Sequence, residues 1–520
     1  MSHEHTTPHG KIRPHCCPCC DSSVPINLGE FTRRTFLGGA TLGTALFAGL
    51  TWAKLAEETP ELPMPPGRLP LKVKPVFLYH VYQPRPQTSW RPWGGIQTEE
   101  AAAEEVKRIQ GELEKLQAAA DFPMEIAPLT ATKNAAELAQ MPDVQSADVL
   151  LVYANDGDLN AIAALKKDTI FFIRHKSGPV YLYYEIISPR FLRQHTDELK
   201  VPGMDNDDVV IDNYDEVLWR LRALCGLKNA RNQRIIAVGG AGAWAQPPKV
   251  VPELVKKIWN TEIIDLPYPE LGKMIQAARS DQAAVNLAKR RAEEYLKDPM
   301  VKLETDRTYV ENAFLLDQVF RKVMAQANCR MITIHGCMGT IMPLAETTAC
   351  LTLSTLNDDG YLAFCESDFV VIPSGMLLCG ISGLPPFLND PTYPHDKIIT
   401  LAHCTAPRKM NGKEKEPARL LTHFESDYGA APKVEMRNGQ VVTNILPDFK
   451  SERWVGLRGE IVAHPFLPIC RSQIDIKYTC DDKILADRMP GFHWMTIYGD
   501  YIREAGYALK RVGIKFEVLG

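Results

Sequence analysis

The chain lacks any long block of charge of one sign. Its 520 residues include 59 lysines and arginines and 63 acidic residues, and its formal net charge is −4. The longest charged cluster, residues 409–415, is interrupted by Asn411 and Gly412. Because a nucleic-acid-binding surface requires concentrated positive charge, the sequence predicts a protein that does not bind nucleic acid. Its 45% hydrophobic residues are typical of a soluble globular protein.

Two metal- or nucleotide-binding motifs are incomplete. Residues 1–30 are polar and rich in histidine, proline and cysteine, which predicts a disordered tail. The tail contains Cys16, Cys17, Cys19 and Cys20, but no second C-x-x-C pair lies at zinc-finger distance. A metal-binding tail and a redox role for these thiols remain open alternatives. The turn Gly239-Gly240-Ala241-Gly242 lacks the G-x-G-x-x-G spacing, so it predicts a tight turn beside an inter-domain cleft rather than a nucleotide site.

The pattern of the other nine cysteines does not favour disulfides. They lie mostly in apolar runs, which favours buried free thiols over a disulfide framework. These residues are Cys225, Cys329, Cys337, Cys350, Cys365, Cys379, Cys404, Cys470 and Cys480.

A transmembrane-length apolar run is also missing near the N-terminus. Residues 38–52 are apolar but short and glycine-rich, whereas a spanning helix needs about 20 apolar residues. The run follows Arg33-Arg34 and ends near Ala53 and Ala56, a pattern typical of a twin-arginine export signal. The segment before the arginines is unusually long, and Gly38 stands where lysine is common. We predict a signal over residues 31–56, the twin-arginine translocase as partner, and a periplasmic or other extracytoplasmic location.

The pattern of elements divides the rest of the chain. Residues 57–71 are proline-rich and predict a linker. Alternating strand and helix patterns predict two Rossmann-like α/β domains, at 72–232 and 233–348. Short strand patterns and an Asn438-Gly439 turn predict a β-rich, barrel-like domain over 349–520.

One stretch, Cys365–Pro391, predicts a strand, a helix and a second strand. The first apolar run stops at Glu366, and the second stops at Asp390. If the two strands lie side by side, a helical crossover makes them parallel, and their carboxyl ends share an edge. Both carboxylates would then lie in one crevice, where their repulsion favours a hard cation. The alternative is a pair of acidic loop caps exposed to water.

This stretch and the C-terminal segment GFHWMTIYGDYIREAGYALKRVGIKFEV resemble the L-fucose isomerase family. In that family an E-x-D motif, a helix and an acidic residue precede a late histidine, and the three groups bind manganese. The resemblance extends from about residue 72 to the end and is specific in the last third. It implies the fold of that family and assigns the metal ligands to Glu366, Asp390 and His493, with manganese or magnesium as cofactor.

The resemblance also implies a reaction, the interconversion of an aldose and a ketose through an enediol. Glu366 and Asp390 would transfer the proton, and we expect a sugar substrate and a homo-oligomer. Because sugar isomerases usually work in the cytoplasm, the alternative is an exported sugar-binding or scaffold protein without turnover. Candidate sugar-contacting residues are His403, Thr405, Trp454 and Arg458. Candidates for orienting the ligands are His335, His423, Glu425 and His464.

Overall fold

The computed structural model describes residue 54 and residues 62–91, 93–181 and 204–520. The predictions for the tail and, apart from Lys54, for the export signal lie outside these residues. Of the predicted linker, residues 62–70 form no helix or strand, and Leu71 is already the first residue of a strand. Within the described ranges, no helix has both the length and the apolar character to cross a bilayer.

The described strands and helices are numbered in chain order. The strands are β1 Leu71–Leu78, β2 Met124–Ile126, β3 Thr130–Thr132, β4 Val149–Ala154, β5 Asp168–Ile173, β6 Val209–Ile211, β7 Arg234–Val238, β8 Glu262–Leu266, β9 Val301–Leu303, β10 Met331–Ile334, β11 Leu362–Cys365, β12 Phe387–Pro391, β13 Ile398–His403, β14 Ala418–His423, β15 Tyr428–Val434, β16 Val441–Leu446, β17 Arg453–Ala463, β18 Ser472–Lys477, β19 Trp494–Tyr498 and β20 Lys515–Leu519. The helices are α1 Glu99–Ala119, α2 Pro142–Ser146, α3 Leu159–Ala164, α4 Tyr214–Ala230, α5 Val251–Trp259, α6 Tyr268–Ser280, α7 Gln282–Leu296, α8 Arg307–Gln326, α9 Cys337–Ala345, α10 Cys350–Asp358, α11 Ile372–Ser382, α12 Asp482–Arg488 and α13 Ile502–Arg511.

Two parallel sheets occupy the first two thirds of the chain. The first has the strand order β2-β1-β4-β5-β6, with β3 also paired to β1. The second has the order β11-β10-β7-β8. Every pair in both sheets is parallel. The side chains of β4 and β10 are buried throughout, as expected when helices cover both faces of a parallel sheet.

The helical region between β8 and β10 of the second sheet differs from the prediction made from its sequence pattern. The pattern over residues 271–297 predicts one long helix, but the structure has α6 and α7 separated at Asp281. The Asp281 carboxylate accepts a hydrogen bond from the backbone N–H of Ala283 at 2.9 Å. This contact caps the start of α7 and explains why the chain begins a new helix there.

A closed barrel forms the C-terminal region. Its six strands follow the ring β16-β19-β12-β13-β18-β17, and the pairing of β16 with β17 closes it. The ring pairs are antiparallel, while β20 lies parallel to β17 outside the ring. The predicted mixed α/β architecture, with Rossmann-like parallel sheets and a C-terminal barrel, is therefore confirmed.

The predicted pairing of the strands around Cys365–Pro391 is wrong. β11 is the edge strand of the second parallel sheet, whereas β12 lies in the barrel between β13 and β19. The helix between them, α11, is buried along nearly its whole length and packs closely on α4, where a Cβ on Gly380 would lie 2.5 Å from the carbonyl oxygen of Gly226. Because α11 is covered on all sides, it is not restricted to packing on the sheet that the chain has just left. It leads the chain into the barrel instead.

Candidate metal centre

The residues after β11 turn sharply at the entrance to the centre. Glu366 and Ser367 have φ angles of 66° and 47°, a left-handed conformation that is costly for residues other than glycine. The turn is held by Asp368, whose Oδ1 accepts hydrogen bonds from the backbone N–H groups of Val370 and Trp244 at 3.0 and 3.2 Å. These bonds connect β11 to the glycine-rich turn after β7 and fix the direction in which the chain leaves the sheet.

His493 lies at the centre of the cluster. Its Nδ1 is 2.7 Å from Asp368 Oδ2, and its Nε2 is 3.2 Å from Glu366 Oε2 and 3.0 Å from Asp390 Oδ1. The histidine immediately precedes β19, which pairs with β12 next to Asp390. The structure therefore brings Glu366, Asp390 and His493 together, although the two acids come from different sheets.

Four side-chain atoms in this cluster are buried without a hydrogen-bond partner: Glu366 Oε2, Asp390 Oδ1, His403 Nε2 and His493 Nε2. Buried polar atoms are normally paired, because an unpaired one loses its hydration without compensation. The ligand atoms of Asp390, His403 and His493 all lie within 4.8 Å of one another. His403 Nε2 is also 3.6 Å from Glu366 Oε1. The donor set and its unpaired lone pairs fit a bound cation.

Electrostatic coupling within the cluster is strong. Burial alone would raise the pKa of Glu366, but the charges of His493 and His403 hold it well below its usual value. Burial alone would lower the pKa of His493, yet the charge of Glu366 and the close contacts with Asp368 and Asp390 raise it well above its usual value. Without a cation, His493 therefore holds a proton that partly balances the carboxylates. A cation would displace that proton, so metal binding would release it.

A cavity of about 280 Å³ opens onto the cluster. It is close to the lower size limit of ligand sites, about 300 Å³. Trp244 lines it, and its ring stacks on Phe492 with centroids 3.6 Å apart. Neither aromatic residue was identifiable from the sequence, because nothing in the Gly-Gly-Ala-Gly turn indicates that it faces a segment 250 residues later.

The secondary candidates divide into two groups. His403 and Thr405 line the cavity, and Thr405 Oγ1 lies 3.1 Å from His403 Nδ1. The prediction that Trp454 and Arg458 contact the sugar requires correction, since neither lines the cavity. Trp454 is fully buried against Trp259, with ring centroids 5.7 Å apart, and Arg458 pairs with a surface carboxylate.

The candidate orienting groups also divide. His335, His423 and Glu425 line the cavity, whereas His464 does not and its carbonyl accepts a hydrogen bond from Lys433. The residue that does orient His493 is Asp368, which is the second acid of the E-x-D pattern. The E-x-D pattern contains this aspartate, but the pattern alone does not indicate that it contacts the late histidine.

Five cysteines also line the cavity. The nine cysteines from Cys225 onward are free thiols in the described part of the chain, as the apolar runs around them predict. Their sequence pattern does not indicate that several face one cavity. The cavity-lining members are Cys337, Cys350, Cys365, Cys404 and Cys470.

Comparison with known proteins gives no assignment. A scan against protein-family models finds no match to the chain, and a search of the curated proteins finds no similar one.

Proposed function

We propose that the protein is a metal-dependent aldose–ketose isomerase of the L-fucose isomerase type, acting through an enediol. The main support is the convergence of buried ligand atoms: Glu366 and Asp390 line the cavity, and His493 Nε2 lies 3.2 and 3.0 Å from their carboxylates. The mixed α/β architecture with a C-terminal barrel is compatible with this proposal but does not specify a reaction.

The donor set suits manganese or magnesium. Two carboxylates provide hard oxygen ligands, and an imidazole provides one borderline nitrogen. The contact between His493 Nδ1 and Asp368 would place the ring proton on Nδ1 and leave Nε2 as a ligand atom. When bound, a divalent cation supplies polarisation of the sugar carbonyl and stabilisation of the enediolate charge.

The carboxylates supply the proton-transfer chemistry. One of them, Glu366 or Asp390, takes the proton from the carbon beside the carbonyl and returns it to the former carbonyl carbon, while a hydroxyl proton moves between the two oxygens. Either carboxylate can accept the proton only while it is ionised, and a bound cation would keep both in that form. Thr405 holds the His403 ring in position. Trp244 offers an apolar face against which a sugar can pack.

The cellular setting is part of the proposal. Export through Arg33-Arg34 by the twin-arginine translocase would carry the folded, metal-loaded protein to the periplasm. We also propose that the isomerase is a homo-oligomer. An exported sugar-binding protein without turnover remains the competing function.

Metal content and turnover of purified full-length protein test the proposal. We expect about one manganese or magnesium per chain in the wild type, and at least about tenfold weaker binding in Glu366→Gln and His493→Gln. Asp390→Asn should behave like Glu366→Gln. The matched control is Glu304→Gln, which changes a surface partner of Arg419 and should keep the metal.

Each outcome has a definite meaning. Equal metal occupancy in the wild type and the three cluster variants would exclude this site and the isomerase with it. Wild-type protein that binds metal and sugars but interconverts no aldose–ketose pair would instead establish the binding-protein alternative.

A further inference from the structure

We propose that Cys404, His423 and Cys470 form a second metal site in the same cavity, one that takes zinc in preference to manganese or magnesium. The proposal does not depend on the isomerase assignment. The three residues share no member with the cluster around His493, and all three line the cavity.

The spacing of the ligand atoms fits a single ion. The two Sγ atoms and one imidazole nitrogen lie within 4.8 Å of one another. Four-coordinate zinc, with Zn–S bonds of about 2.3 Å, places its ligand atoms roughly 3.5–3.8 Å apart. Side-chain adjustments of about 1 Å would therefore complete the site, without any movement of the barrel strands.

Three strand ends hold these ligands, two from the barrel and one from β14, which pairs with β15 and β9 in a separate sheet. Cys404 directly follows β13, His423 ends β14, and Cys470 lies just before β18. β13 and β18 pair at this end through His403 and Ser472. Ligands placed at strand ends are held more precisely than ligands on long loops.

Arg471 connects the three segments. Its backbone N–H lies 3.4 Å from Cys404 Sγ, and its guanidinium donates to the carbonyl oxygen of Thr422 at 2.7 Å. A backbone N–H that donates to sulfur favours the thiolate, which is the form of cysteine that binds metal. The contact with Thr422 also fixes the residue next to His423.

The donor atoms determine which ion is preferred. Two thiolates and one imidazole are soft and borderline ligands, so they select zinc over the hard cations expected beside the carboxylates. Cys350 packs against Cys404 and Cys470 and supplies further sulfur at the same wall. Three protein ligands leave a fourth position facing the cavity, the arrangement found in zinc sites that bind water or a substrate.

Cobalt titration of the reduced, metal-free full chain tests the site. Co²⁺ is the probe because thiolate coordination gives an intense near-ultraviolet charge-transfer band that carboxylate coordination does not. We expect the band at one equivalent and its loss on adding zinc, but not on adding manganese. Cys404→Ser and Cys470→Ser should weaken the cobalt affinity by at least about tenfold.

The controls separate this site from other thiols and from the carboxylate cluster. Cys225→Ser changes a buried cysteine on α4 outside the cavity and should leave the band unchanged. Serine at Cys16, Cys17, Cys19 and Cys20 together should also leave it unchanged, which excludes the N-terminal thiols as its source. Glu366→Gln should also leave it unchanged, so failure here and failure of the isomerase proposal are distinguishable. His423→Gln keeps both thiols and should weaken binding even if a serine variant does not fold. The proposal is overturned by a missing band, by a band that survives all three ligand substitutions, or by a Cys404–Cys470 disulfide in the exported protein.

Discussion

Two clusters of buried carboxylates lie near the carboxyl ends of parallel strands, and they differ in how their charges are balanced. In the first, Arg174 follows β5 and pairs through Nε with Glu105 and through Nη2 with Glu112 at 2.6 Å. The hydroxyl groups of Tyr181 and Tyr214 donate to the same two acids. The guanidinium and the phenols thus supply partners for both carboxylates from within the chain.

The second cluster, around His493, has no such complement. Among the described residues, no lysine or arginine forms an ion pair with Glu366 or Asp390, and one oxygen of each has no hydrogen-bond partner. Both clusters contain buried acids and aromatic neighbours, so residue types alone do not separate them. The difference is that the first is closed by a permanently charged guanidinium, whereas the second holds only a histidine, whose proton a bound cation can replace. Only the second is suited to bind a ligand.

The largest expected effect comes from removing the cation of the first cluster. Arg174→Met should destabilise the fold by about 3–5 kcal/mol, because it leaves Glu105 buried without its partner. Glu366→Gln, measured in a chelator, should leave the metal-free fold as stable or slightly more stable, because it relieves repulsion between carboxylates. Denaturant unfolding of both variants beside the wild type checks the contrast. Equal destabilisation by the two substitutions would show that both clusters are structural.

The sequence predicts which residues form the second cluster better than it predicts the course of the chain between them. The sequence predicts that a crossover between parallel strands brings Glu366 and Asp390 together, yet the two strands belong to different sheets. They still meet because the end of the barrel lies against the carboxyl edge of the second sheet, a relation between distant elements that no local pattern encodes. His493 followed from the family resemblance alone.

The incorrect prediction for Trp454 and Arg458 has a related cause. Alternation along β17 identifies two faces but does not say which faces the cavity. Trp454 packs on Trp259 at the end of α5, and Arg458 faces solvent. The cavity cysteines were predicted as buried thiols, since burial follows from an apolar run, but their convergence depends on the strand order of the barrel.

A third way to balance a buried acid is to protonate it, and Asp358 is the test case. Burial raises its pKa to about 6, although the backbone N–H of Lys409 donates to it at 2.7 Å. An unfolded aspartate has a pKa of about 3.9, so between roughly pH 4 and 6 the folded state binds the extra proton. The proton bound to Asp358 stabilises the folded state below pH 4, and this stabilisation is lost as the pH rises through 6.

Asp358→Asn should abolish this loss of folding stability with rising pH. Because the side chain of Asp358 keeps some contact with solvent beside a shallow cavity, we expect the variant to gain about 1–2 kcal/mol over the wild type at pH 7, less than two full pKa units would give. The gain should shrink steadily toward pH 4. Unfolding free energies of both proteins across this range measure it. A difference that does not vary with pH would mean that Asp358 is ionised throughout.

The smallest expected effect is at Arg458, where the charge is balanced by solvent. Arg458 Nε lies 3.0 Å from Asp500 Oδ2, and both side chains are about half exposed. Exposed pairs contribute roughly 0–1 kcal/mol, because water screens both charges and ordering two long side chains costs entropy. Arg458→Ala should therefore change the unfolding free energy by less than about 1 kcal/mol. It should also leave manganese and cobalt binding unchanged, since the residue lies outside the cavity. Within one chain, the barrel surface around β17 and the centre are separate. If this variant lost metal or sugar turnover, that surface would therefore have to complete a site in a neighbouring subunit.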